Sequence, residues 1–130
     1  MNHVMKASNR FGFPRARRIL RPAEFVRVYD NGYSVRRGPL LVHALGSCAT
    51  TRLGLSVPRK VGNAVIRNRV KRRLRDAFRR LQHDLPAGYD LVVTVRPHEP
   101  MTQDRYDQAL RDAAEALHAR WTANAPATNS

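Results

Sequence analysis

Acidic residues are scarce in this sequence: ten Asp and Glu stand among 130 residues, against 24 Lys and Arg, for a formal net charge of +14. The shortage counts against a carboxylate-based, metal-dependent nuclease, which gathers several acids around its ions. Five of the ten (Glu99, Asp104, Asp107, Asp112 and Glu115) sit in or just before what reads as the last helix, where helical spacing spreads them. Cysteine is nearly absent. Cys48 stands alone, so neither a disulfide nor a cysteine-based zinc site is available within the chain. Long apolar runs are missing too: none approaches the roughly 20 residues of a spanning helix, and Met1 to Ser8 lacks the apolar core of a signal peptide. A cytoplasmic protein is the default expectation. The histidines His3, His43, His83, His98 and His118 are scattered without a shared motif, whereas a metal-free ribonuclease would use them together as general acid and base. No catalytic residue and no metal ligand is assigned to this chain.

What is present is cationic and unevenly placed. Residues 1–37 carry nine basic and two acidic groups, residues 52–80 carry eleven against one, and the stretch 38–51 carries none. Mixed signs serve solubility better than such polarity. Self-repulsion at this charge opposes compaction, so its persistence implies a polyanionic partner. Nucleic acid fits, because Lys and Arg neutralise phosphates and release condensed counterions. The length suits one domain with a modest core.

Residues 1–14 read as a flexible basic arm, 15–121 as the domain and 122–130 as a frayed tail. Pro22 suits a helix start and Gly32 its end, with Phe25, Val28 and Tyr29 on one face between them. The runs 40–45 and 53–57 read as strands separated by a turn over 46–51, and a further strand near Tyr33–Arg37 is weakly marked. Residues 63–83 form the strongest helix, with Asn63 as its N-cap and Ile66, Val70, Leu74, Ala77, Phe78 and Leu81 as a continuous apolar stripe. A buried strand follows over 90–96. Thr102 caps a last helix lined by Tyr106, Leu110, Ala113, Ala114, Leu117 and Trp121. The order predicts an α+β fold, a two-layer α-β sandwich in which three helices accompany a small, mostly antiparallel sheet of about four strands.

On the 63–83 helix, Arg69, Arg73 and Arg80 flank the apolar stripe on one side and Lys71, Arg75 and Arg79 on the other, with Asn68 and Arg72 near the far face and Asp76 the one acid of the helix. Like charges at i, i+4 destabilise an isolated helix by a few tenths of a kcal/mol each, so an anionic ligand is expected to offset them. Apart from any family resemblance, the residues leave open a ribosomal or chaperone-like RNA-binding protein and a basic-helix DNA-binding protein. The latter is disfavoured because the helix lacks the heptad extension of a dimeric basic-region protein.

The run Gly54-Leu55-Ser56-Val57-Pro58-Arg59-Lys60-Val61-Gly62-Asn63-Ala64-Val65-Ile66-Arg67-Asn68-Arg69-Val70-Lys71-Arg72 closely resembles the signature of the bacterial ribonuclease P protein family: a strand, a Lys-containing turn, Gly-x-Ala-Val, then Arg-Asn-Arg-x-Lys-Arg opening a helix. Weaker similarity runs from Phe13 to Trp121 and includes Arg21-Pro22-Ala23-Glu24-Phe25 with Tyr29. The resemblance implies a left-handed βαβ crossover around the basic helix, against the usual handedness. It implies as partners the catalytic RNA of ribonuclease P and precursor tRNA, whose 5′ leader is removed by endonucleolytic cleavage. No DNA or membrane partner is implied. The active site and its magnesium would belong to the RNA, with one protein monomer per RNA. Carried over residue by residue, Lys60, Arg67, Asn68, Arg69, Lys71, Arg72 and Arg75 would face the RNA subunit. Phe25, Tyr29 and His43 would line a cleft for the single-stranded leader. His43 departs from the aromatic usual at its position, and Pro58 from a small residue.

Overall fold

The computed structural model describes residues 17–46, 50–85 and 88–123. The elements run α1 (Pro22–Asn31), β1 (Tyr33–Arg37), β2 (Leu40–Gly46), β3 (Arg52–Ser56), a single 3-10 turn (Arg59–Val61), α2 (Ala64–Leu81), β4 (Tyr89–Val95) and α3 (Gln103–Ala123). The weakly marked strand is real, and every expected element is present. The last helix runs two residues past the expected domain edge at 121. The expected arm at 1–14, most of the expected tail, His3 and Cys48 lie outside the described residues.

The sheet order is β1-β2-β4-β3. β1 pairs antiparallel with β2, and β2 antiparallel with β4, while β3 lies parallel to β4 along the far edge. A parallel pair needs a crossover connection, and α2 supplies it. Alternation then sorts the side chains. Leu40, Val42, Ala44, Leu53, Leu91, Val93 and Val95 point to one face, against Val70, Leu74, Ala77, Phe78 and Leu81 of α2 and Tyr106, Leu110, Ala113, Ala114 and Leu117 of α3. Each large side chain buried there contributes about 1.5–3 kcal/mol. On the opposite face Leu45 and Val92 meet Ile19 and Val28, so α1 covers one end of that face and leaves the rest open.

Local chemistry explains where the helices begin. Pro22 opens α1, at a position where its missing N–H costs nothing. The Asn63 side chain accepts a hydrogen bond from the Ile66 amide at 2.9 Å, a cap of the expected kind worth about 1 kcal/mol. Thr102 Oγ1 accepts from the Arg105 amide at 3.3 Å. One core expectation fails: Ile66 is 41% exposed. Its position continues the stripe, but the first turn of α2 has run beyond the sheet that covers the rest.

Candidate nucleic-acid interface

The expected cations of α2 divide by what they touch. Arg80, at the end of one flank, donates to Asp107 of α3 at 3.0 and 3.1 Å. Arg79 pairs with Asp76 at 3.3 Å. The acid opposing this helix is thus not Asp76 alone, because α3 contributes Asp107. Toward the N-terminal half, Asn68, Arg69 and Arg72 are exposed and Lys71 half-buried. No ion pair among the described residues engages Arg69, Lys71 or Arg72. Lys60 is exposed in the 3-10 turn just before the helix. Arg67 is half-buried, and its Nε is buried without a hydrogen-bond partner.

Sequence reasoning missed a cation here. Arg18 forms an isolated bridge with Leu53 on the outer edge of β3, and Arg18, Lys71 and Arg75 line one concavity with Leu20 and Leu55. Burial, with the charge of Arg18, moves the Arg75 pKa down, though an arginine stays protonated throughout the working range. The cationic surface therefore continues from α2 round the β3 edge. The signal was faint: Arg17-Arg18-Ile19-Leu20 pairs cations with apolar residues, but only tertiary pairing sets Arg18 beside Arg75.

Phe25, Tyr29 and His43 come together on the sheet face that α1 leaves partly open. Phe25 lies over Gly54: a Cβ there would stand 2.9 Å from Phe25 Cζ and 3.0 Å from Ile19 Cβ, so the glycine is what lets the ring approach the strand. Tyr29 is 6.5 Å from Phe25 and meets His43 edge-on at 4.9 Å between ring centroids. Its hydroxyl lies 3.4 Å from Thr94 Oγ1. Tyr29 remains 38% exposed, leaving part of an aromatic surface open to a stacking partner. His43 is half-buried with its Nδ1 unpaired, and burial lowers its pKa.

The cleft is held by a hub that sequence reasoning did not reach. Arg52 donates to Asp90 Oδ1 at 2.9 Å and Oδ2 at 2.8 Å, and to Glu24 Oε2 at 3.1 Å. Arg52 and Asp90 are register partners in the parallel pair, and Glu24 is one residue before Phe25. Planar bidentate geometry makes this the strong kind of charged hydrogen bond. It raises the Arg52 pKa, chiefly through Asp90. At Glu24 burial acts to raise the pKa, but the Arg52 contacts prevail and lower it.

Two further histidines have structural partners. His98 Nδ1 lies 2.7 Å from the Arg96 carbonyl and therefore donates to it, leaving Nε2 to accept from the Tyr106 hydroxyl at 2.7 Å. His118 Nδ1 and the Tyr89 hydroxyl are 2.8 Å apart. Among the described residues no group of three or more His, Cys, Asp or Glu is placed to hold a metal, and no helix is long and apolar enough to cross a membrane.

Similarity to known proteins agrees with this geometry. The family described as Ribonuclease P matches residues 13–119. The ribonuclease P protein component of Brevibacillus brevis is 38% identical over 99 residues, which are 74% of this chain and 79% of that one. The solved ribonuclease P protein of Staphylococcus aureus superposes with a TM-score of 0.69 at 32% identity, covering 78% of this chain and 95% of that one. The Thermotoga maritima protein gives a TM-score of 0.71 at 27% identity, covering 77% and 96%. The chain belongs to the ribonuclease P protein family, the protein subunits of an endoribonuclease ribonucleoprotein that processes tRNA.

Proposed function

We propose that the subunit divides its work between two surfaces. The α2 face, with Lys60, Arg67, Asn68, Arg69, Lys71, Arg72 and Arg75, binds the ribonuclease P RNA. The Phe25, Tyr29 and His43 cleft holds the single-stranded 5′ leader of precursor tRNA. Cleavage is carried out by the RNA with its own magnesium. The protein monomer, one per RNA in the cytoplasm, lowers the magnesium demand by relieving phosphate repulsion and tethering the leader.

The observation that supports this most is the far face of α2, where Asn68, Arg69 and Arg72 stand exposed while the acids nearby are spent on Arg79 and Arg80. Adding the protein to a bacterial ribonuclease P RNA at low magnesium should restore 5′ cleavage. Replacing both Arg69 and Arg72 with Ala should weaken RNA binding and reduce its salt slope by about one per lost phosphate contact. Phe25→Ala should mainly cost leader affinity, by about 1–3 kcal/mol for one stacked base. Equal losses on leader-containing and leaderless substrates for both changes would defeat the two-surface reading.

A further inference from the structure

We propose that a cavity beside the first turns of α2 receives an unstacked nucleobase of the RNA bound along that helix. The inference rests on the RNA-facing reading of α2 and adds a binding site to it. The cavity has a volume of ≈ 240 Å³ and is walled by Val61, Ile66 and Val70 on one side and Pro100, Met101 and Tyr106 on the other. Arg69 and Arg73, one helical turn apart, stand at its rim.

Its apolar lining is out of keeping with its neighbourhood. Ile66 is 41% exposed on the most cationic element of the chain. Neutralising phosphates requires no apolar concavity there. A base does: its faces shed water against apolar and aromatic walls, while the flanking phosphates meet Arg69 and Arg73, whose planar forks suit them. Gly62 helps to build the wall, since a Cβ on it would stand 2.8 Å from Ile66 Cγ2. The turn thus closes directly on that side chain.

The polar groups at the cavity bear on selectivity. His98 is committed on both ring nitrogens, to the Arg96 carbonyl and the Tyr106 hydroxyl. The occupant is therefore held by packing and stacking more than by base-edge hydrogen bonds, and the site tolerates any base. Unstacked bases set against side-chain faces are the usual means by which proteins engage irregular RNA.

Two variants test the site. Met101→Trp fills the cavity from the loop, and Ile66→Ala removes a wall at an exposed position; melting by circular dichroism verifies that each folds. Binding to a bacterial ribonuclease P RNA is titrated across salt, with Arg72→Ala as the phosphate-contact reference, and the RNA is probed chemically with and without protein. Both cavity variants should weaken binding on the order of tenfold, the loss of one stacked base, without changing the salt slope. A nucleotide whose reactivity the parent protein alters should lose that change. If the cavity variants bind like the parent while Arg72→Ala weakens, the cavity takes no base and the RNA face of α2 stands. If Arg72→Ala also binds like the parent, the RNA face falls and the cavity proposal with it. A reduced salt slope in the cavity variants would mean a lost phosphate contact, which also overturns the assignment.

Discussion

His43 has its ring edge-on to Tyr29 and its Nδ1 buried without a partner, so the cost of charging it falls on the folded state. Its pKa is lowered from 6.5 by that burial. A depressed folded pKa means full stability above the unfolded value, and loss as pH falls toward the folded one, because the unfolded chain takes up the proton first. The urea midpoint should therefore drop between pH 8 and pH 5.5, and His43→Phe should lose less over that interval. Glu24 does not confuse the reading, since its lowered pKa lies below 4.5 and its contribution is retained at pH 5.5. Identical pH dependence in parent and variant would place the proton uptake elsewhere. At this scale the spacing of Phe25 and Tyr29 placed them on one face of a short helix, while their grouping with His43 in a cleft came from the family resemblance alone. Arg52 was not legible, because its partners lie 28 and 38 residues away in sequence and no local pattern announces them.

Among the elements, α1 depends most on a fastening. Val28 is its one fully buried side chain, so the Glu24–Arg52–Asp90 hub carries much of its attachment to the sheet. Asp90 is 1% exposed. Removing one member of a buried ion pair is strongly destabilising, by about 3–5 kcal/mol. Arg52→Ala should lower stability by that amount in urea denaturation, with Arg52→Lys between it and the parent because an ammonium cannot reproduce the bidentate contact. A loss under 1 kcal/mol would show the hub to be solvated rather than structural. The helix α2 was legible nearly to the residue, since eighteen residues with an apolar stripe admit no other periodicity. Ile66 was misplaced because the stripe tells which way a side chain points and not how far the covering sheet extends. The flank holding Arg80 was read as ligand-facing, yet α3 packs against it and supplies Asp107.

For the molecule as a whole, the net charge of +14 means that anions bind the folded cationic surface in preference to the dispersed chain. Millimolar phosphate or sulfate should raise the melting temperature by roughly 4 °C for each kcal/mol of binding. A melting transition unmoved by either anion would argue against a preformed cationic face. The fold class was legible from the order of elements, but the position of β4 between β2 and β3 was not. A continuous apolar strand fits any interior place in a sheet, and what settles it is the antiparallel pairing with β2 together with the parallel pairing with β3. The parallel pairing has a kinetic side. β3 and β4 cannot zip together until the segment between them has folded back across the sheet, a non-local closure of the sort that slows folding. The segment is α2 with its crowd of cations, so the slow step gathers like charges into a small volume. A polyanion that screens those charges should therefore speed refolding in a stopped-flow measurement.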